Sequence, residues 1–226
     1  MRTPRRDGAE TRSRIIEAAS VVFAAAGFRL GTVAQIAELA GVNHAAVNYH
    51  FGGKEELYRR VWIHAREVCL QAYPLKPRGP DERSTENALR SFIRSLVLRS
   101  FDDGPAGHLT RLIAFEITDP LDHIADLRLE TMRMHASRLD EIVSAVLGPA
   151  AIPNTLQLCR LSILSPTVGL GVRMVRHAEQ PQVARLRKSD PEQLADGVFR
   201  FAWAGLQDLK RNRSRSDHRT VKEEHK

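Results

Sequence analysis

His44, Asn48, Tyr49 and His50 sit within seven residues of one another and carry hydrogen-bonding edges without strong charge. On one short helix, that combination suits a surface that meets base edges and phosphate oxygens together. Ala45 and Ala46 beside them are small enough to let such a helix approach a major groove closely. Thr32 and Lys54 stand where helices are expected to start, and free N–H groups at a helix N-terminus attract phosphate. Asn43 is the expected N-cap of the short helix itself.

A second set of groups lies on apolar stripes. Glu116 follows Leu109, Leu112 and Ile113 at helical spacing, and His135 precedes Leu139, Ile142 and Val146 in the same way. A polar group on a buried stripe needs a partner. Glu116 and His135 are therefore either ligand contacts or core residues bonded to a neighbouring helix, and the spacing leaves both open. Phe92, Leu96, Phe115 and Met132 are expected to line the same space. A third set, Asp119, His123 and Asp126, has the i, i+4, i+7 spacing that puts two carboxylates and an imidazole on one helical face. No Glu-x-x-His pair or nucleophile motif accompanies it, so a solvated, capping face beside Asp119-Pro120 is the preferred reading and no metal or cofactor is expected. Cys69 and Cys159 match no metal-ligand spacing and read as buried or free thiols.

Nearly every periodic stretch has helical spacing, which predicts an all-α fold of about nine helices. The first carries Ile15, Ile16, Ala19, Val22, Phe23 and Ala26 on one stripe, with Gly27 as the expected left-handed end. Thr32 and Gln35 form a capping-box pair opening a helix through Ala40, and Gly41 stops it. A very short helix from His44 to His50 or Phe51 follows, with Val47 and Phe51 turned to the core, before Gly52-Gly53. A long helix from Lys54 to about Ala72 ends in the Pro- and Gly-bearing run Tyr73 to Pro80. Five more are expected near Ser84–Phe101, Gly107–Thr118, Leu121–Leu147, Asn154–His177, kinked at Pro166, and Pro191–Arg211. The expected organisation is a helix-turn-helix head over residues 1–53, a helical body over 54–211 and a disordered basic tail over 212–226.

A formal charge of +7 and a pI near 9.9 favour a polyanionic partner, and its distribution sharpens the point. Residues 1–66 hold ten Lys or Arg against six Asp or Glu, and residues 210–226 hold seven against three, so the middle is close to neutral. Arg2, Arg5 and Arg6 form a candidate basic arm or a merely solvated leader. No uninterrupted apolar run approaches a spanning length, and no signal-peptide core follows the start, which makes the cytoplasm the expected compartment.

The run from Ala37 to Leu57, with Val47-Asn-Tyr-His-Phe51 and then Gly-Gly-Lys-Glu-Glu-Leu57, resembles the DNA-binding head of TetR-family transcriptional regulators over residues 10–66. The resemblance implies that Tyr49 and Lys54 hold phosphates, that Thr32 caps its helix and touches the backbone, and that His44, Ala45, Ala46 and Asn48 face bases, with His50 as a further contact. The body, around Leu112-Ile-Ala-Phe-Glu-Ile-Thr-Asp-Pro120, Leu147-Gly148 and Leu161-Ser-Ile163, is similar to the C-terminal branch of regulators named for cephalosporin and chloramphenicol sensitivity. It departs from that pattern at Leu164-Ser-Pro-Thr, where Gly-Gln is expected, so no ligand carries over.

The family pairs its last two helices with those of a second copy. Here Leu194, Val198, Phe201, Ala202, Gly205 and Leu209 keep a helical stripe, and Ser162, Ser165, Gly169 and Gly171 allow close helix approach. The expectation is thus a non-enzymatic homodimeric repressor on an inverted-repeat operator, released when an unidentified small molecule shifts the population of head spacings through the helix from Lys54. The rivals are an architectural DNA-binding protein without sequence preference and a helical metal-dependent enzyme.

Overall fold

Of the stripe expected in the first helix, Ile15, Ala19 and Phe23 are buried, whereas Ile16, Val22 and Ala26 are half-buried at its margin. The computed structural model describes residues 4–76, 84–148 and 153–223, with side chains over 8–76, 84–148 and 153–212. Helix α1 (Pro4–Leu30) buries Ile15, Ala18, Ala19, Phe23 and Ala24, which recur at the 3.6-residue period. Arg2 and the side chains of Arg5 and Arg6 lie outside the described residues. Gly27 interrupts α1 at φ 71°, ψ 177°, a conformation available essentially to glycine alone. It does not end the chain's helical course, as its expected capping role would have it; one further turn reaches Leu30, and the Gly31 N–H donates to the Gly27 carbonyl.

Caps then set the next three helices. Helix α2 (Val33–Ala40) opens on Thr32, whose Oγ1 accepts from the Gln35 N–H while the Gln35 side chain accepts from the Thr32 N–H. It closes on Gly41 at φ 62°, ψ 40°, with the Val42 N–H reaching back to the Ala37 carbonyl. Helix α3 (His44–Phe51) opens on Asn43 and closes on Gly52 at φ 74°. Helix α4 (Lys54–Ala72) follows at once. The body comprises α5 (Thr85–Phe101), α6 (His108–Thr118), α7 (Ala125–Leu147), α8 (Pro153–Arg176), α9 (Pro181–Arg187) and α10 (Pro191–Glu223), with single 3₁₀ turns at Pro105–Gly107 and Asp122–Ile124.

Two features depart from the sequence reading. The described residues hold ten α-helices, the extra one being α9, too short to show a period and burying only Val183. The α10 backbone continues to Glu223, past Asn212 where loss of structure is expected, because no Gly or Pro after Gly205 stops a run of fair helix formers. Helix α8 runs through Pro166, which faces solvent. By length and composition α8 is apolar enough to cross a membrane, yet it packs against α5, α6 and α7 through Cys159, Ile163, Thr167, Gly171 and Met174.

Two cores organise these helices. The first gathers Phe23, Ile36, Val47 and Phe51 from α1 to α3 with Leu57, Tyr58, Val61 and Trp62 of α4, and extends to Leu109, Leu112, Ile124 and Leu127. The second joins Phe92, Ile93 and Leu96 of α5 to Leu139, Val143, Ile163, Phe199 and Leu206. Helix α4 thus belongs to the first core from Leu57 to Cys69, and that core reaches into the body.

The tip of α1 packs tightly against α6. A Cβ built on Gly27 would lie 2.8 Å from the Phe115 ring, and Arg29 pairs bidentately with Asp119 just beyond α6. Gly27→Ala combines a disallowed backbone with that clash, so it is expected to cost about 2 kcal/mol or more in urea unfolding at fixed protein concentration. A loss under about 0.5 kcal/mol would show that the Gly27 conformation is not required.

Candidate functional site

The short helix α3 is held from below and open above. Val47 and Phe51 are buried in the first core, with the Arg12 guanidinium 5.0 Å over the Phe51 ring. His44, Ala45 and Asn48 are exposed, Ala46 is half-buried, and Tyr49 is 85% exposed, so its phenol is not a core group. His50 is half-buried and meets the Tyr49 ring edge-on at 5.2 Å. The turn before the helix is tied down by Arg14, which donates to the Ala40 and Gly41 carbonyls. Neither Arg12 nor Arg14 stands out in the sequence, because each is one cation among many on the outer side of α1.

The three helix starts differ in what they leave free. The Thr32 hydroxyl is occupied by Gln35, and the Asn43 Oδ1 accepts from the Ala46 N–H at 2.8 Å, so both side chains act first as caps. Gly53 has no side chain to cap α4, which leaves the first N–H groups of that helix open for an anion. Lys54 stands at that same end, half-buried, its ammonium 4.5 Å from the centre of the Phe28 ring, and burial lowers its pKa from the usual value.

The body contains a cavity of about 870 Å³ between α5, α6, α7 and α8. Leu96, Glu116, Met132 and His135 line it as expected. Phe92 and Phe115 do not: Phe92 is fully buried in the second core, and Phe115 turns to the other side of α6, between Gly27 and the Arg176 guanidinium 5.1 Å above its ring. Trp62 of α4 reaches the wall as well, and its indole N–H donates to Thr131 Oγ1 at 3.1 Å.

Glu116 and His135 are satisfied core groups whose side chains also line the cavity. Glu116 is 2% exposed and accepts from Tyr58 Oη (3.2 Å), the Leu121 N–H (3.0 Å) and Arg128 Nη1 (2.8 Å). Beside that carboxylate the Tyr58 phenol is pushed well above its usual pKa, first by burial. The His135 Nδ1 lies 2.6 Å from the Thr131 carbonyl, which can only accept, so the proton is on Nδ1. Its Nε2 then accepts from Arg99 Nη1 at 2.9 Å. Arg99 and Thr110 were missed by sequence reasoning. Arg99 continues the Phe92, Leu96 stripe, the same signal that singles out Glu116.

The three candidate metal ligands are not brought together as one donor set. Asp119 pairs with Arg29, Asp126 with both Nη atoms of Arg59 at 2.7 Å, and the His123 ring packs 4.7 Å from that of Phe28. The candidate pairing stripe splits in two. Phe201 (81% exposed), Gly205 and Ser162 face outward, whereas Leu194, Val198, Ala202 and Leu209 are half-buried against the second core and Gly169 lines the cavity. Buried Ala195, Phe199 and Leu206 take the inner face of α10, and exposed Leu158 and Leu161 add apolar surface on α8.

Burial and the Arg99 charge hold the His135 imidazole down to a pKa of about 3. An unfolded imidazole titrates near 6.5, so the unfolded state takes up the proton first as pH falls. The contribution is intact above about 6.5 and is lost progressively towards 3, amounting to about 2 kcal/mol between about pH 7.5 and pH 5. His108, also lowered by burial, acts in the same direction. His135→Gln should therefore lose about 2 kcal/mol less than the parent over that interval in urea unfolding; equal losses would show that His135 does not titrate between the two states.

Two family models match the chain: "Bacterial regulatory proteins, tetR family" over residues 15–61, and "HTH-type transcriptional dual regulator CecR, C-terminal domain" over residues 85–206. The HTH-type transcriptional regulator TtgR of Pseudomonas putida is 46% identical over 57 residues, 25% of this chain and 27% of its own. The HTH-type transcriptional repressor BepR of Brucella suis is 37% identical over 76 residues, 32% and 36% of the two chains. These matches span about a quarter to a third of the relatives' length. Among solved structures, the fatty acid degradation regulator FadR from Bacillus halodurans superposes with a TM-score of 0.62 at 17% identity over 84% of this chain and 96% of that one. FadR from Bacillus subtilis, solved in complex with stearoyl-CoA, gives 0.61 at 18% over the same shares. Those two likenesses establish the fold alone. With the C-terminal match covering more than half of the chain and the open α3 surface in place, the chain belongs to the tetR family of bacterial regulators with a CecR-type C-terminal domain, a helix-turn-helix transcriptional regulator and not an enzyme.

Proposed function

We propose that this regulator is a cytoplasmic repressor that binds an inverted-repeat operator as a homodimer and is released when a small molecule enters the body cavity. The observation that carries the reading is α3, whose exposed His44, Ala45, Asn48 and Tyr49 stand over a buried Val47 and Phe51. A helix so short has few apolar anchors, and both point away from the exposed row. Asn48 is the side chain suited to a bidentate contact with adenine, while Tyr49, His50, Lys54 and the uncapped start of α4 take phosphates. Thr32 and Asn43 cap the helices beside the same surface and hold its geometry.

Residues 1–53 act as the reading head and 54–211 as the sensing and pairing body, joined through α4. Exposed Phe201 and Gly205 of α10, with Leu158, Leu161 and Ser162 of α8, supply the face that a second copy covers. The route from cavity to head is short: Trp62 lines the cavity, Tyr58 bonds Glu116, and both lie on the helix that begins at Lys54. A ligand that favours the conformation with wrongly spaced heads needs a coupling of about 1 to 3 kcal/mol for a 5- to 150-fold response.

Selection of genome fragments with purified protein, followed by competition against random DNA, tests the reading. An inverted repeat held at least about a thousandfold more tightly than random DNA is the expected result. Asn48→Ala should weaken that complex by about 1 to 3 kcal/mol and relax its sequence preference. Lys54→Ala should weaken all sequences alike and reduce the logarithmic salt slope by about one. Equal retention of every fragment would overturn the operator reading in favour of the architectural one.

A further inference from the structure

Resting on the effector cavity just proposed, we infer that its ligand is an amphipathic organic anion, whose charged head pairs with buried Arg99 and whose apolar body lies along Leu96, Ile113, Met132 and Val172.

The inference starts from charge. Arg99 is 5% exposed and lines the cavity, and its placed partners are neutral: the lone pair of the His135 Nε2 and the thiol of Cys69. Among the described residues no carboxylate pairs with it. Asp102, the nearest acid in sequence, is occupied by the Tyr73 hydroxyl and the Gly104 N–H. The end of α5 offers Arg99 part of a negative charge through its carbonyls, about half an elementary charge. A guanidinium held out of water with that alone is costly, and breaking up a buried pair leaves a penalty of this kind behind. A ligand that brings the missing anion removes it.

The rest of the wall agrees. Its lining includes four arginines and two histidines against the single carboxylate of Glu116, and that carboxylate is already matched by Arg128. Arg160 is matched by Asp140, outside the lining, whereas Arg173 and His177 are exposed at the rim. Thr110 supplies an independent sign of a missing partner: it lines the same cavity, it is 8% exposed, and its Oγ1 has no hydrogen-bond partner. A head group accepting from Arg99 and from the Thr110 hydroxyl satisfies both. The remaining surface is largely aliphatic, so the other end of the ligand is apolar.

Two probes with one skeleton separate the charge from the apolar body: 8-anilinonaphthalene-1-sulfonate and N-phenyl-1-naphthylamine, which lacks the sulfonate. Titrated by fluorescence into the full chain, the anionic probe is expected to bind one site per protomer at least tenfold more tightly, and decanoate to displace it at least tenfold more effectively than decan-1-ol. The preference should persist in about 0.5 M salt, because a buried pair is screened far less than the rim charges. Arg99→Met should abolish the preference while leaving affinity for the neutral probe within threefold. Arg99→Lys, which keeps the charge where the methionine variant fails to fold, should retain most of it. Equal binding of the two probes by the parent protein, collapse of the preference in high salt, or a preference unchanged in Arg99→Met overturns the assignment. Operator retention is scored separately on the same preparations. Specific retention without anion preference sinks this inference alone, whereas anion preference without specific retention sinks the operator reading and leaves the cavity chemistry standing.

Discussion

A carboxylate out of water has to be met by hydrogen bonds and charge on every side, and Glu116 meets that demand by drawing three segments together. From α6 it accepts a hydroxyl of α4, a backbone N–H of the turn at Leu121 and a guanidinium of α7. Removing one partner from such a set leaves a desolvated charge behind, a loss of about 3 to 5 kcal/mol where it is fully buried. The height of α4 relative to the body is therefore fixed at Tyr58, one turn beyond Lys54. The helix that this knot holds is the one that begins at Lys54, directly after α3.

The same rule applied at the other end of the cavity leads elsewhere. His135 is neutral because its Nδ1 proton is committed to Thr131 and its lone pair to Arg99, so the arginine has a hydrogen-bond partner but no counter-charge. Glu116 explains itself within the chain and Arg99 does not. The difference lies in the partner set and not in burial, since both side chains are almost wholly enclosed.

Local chemistry was legible in the sequence where one or two residues decide it. The Thr32 and Gln35 capping box, the Gly41 and Gly52 turns and the Asn43 cap depend on side chains within four residues of each other, and the structure has each as read. The core seam of α1 and the outward face of α3 follow from period alone. What was not legible depends on which side of a helix meets which neighbour. Phe115 and Glu116 are adjacent, about 100° apart on α6, and the sequence cannot say that one faces the cavity while the other backs onto Gly27. On α10 the apolar residues run wide enough to serve two faces, and the division between an inner row at Ala195, Phe199 and Leu206 and an outer Phe201 is made by α5 packing beneath it. The length of α10 was missed for the opposite reason: a polar run without Gly or Pro has no core signal, yet nothing in it stops a helix already under way.

Helix α6 gains a second hold on the head that complements the first. At Glu116 it grips α4, and one residue earlier Phe115 presses on the Gly27 break of α1, with Arg29 and Asp119 closing the contact. The two contacts are adjacent in sequence but engage different helices of the same head core. Because α1 and α4 share that tightly packed core, they resist moving separately. In the release mechanism proposed above, a displacement of α6 would be carried to the head as the motion of one body, changing where α3 stands without unpacking Val47 or Phe51. Interior packing favours such discrete rearrangements over continuous deformation, and the glycine-only backbone at Gly27 is the place in α1 where the regular hydrogen-bond ladder is already broken. The head and α6 are in this way joined by two short struts, Tyr58 on Glu116 and Gly27 on Phe115.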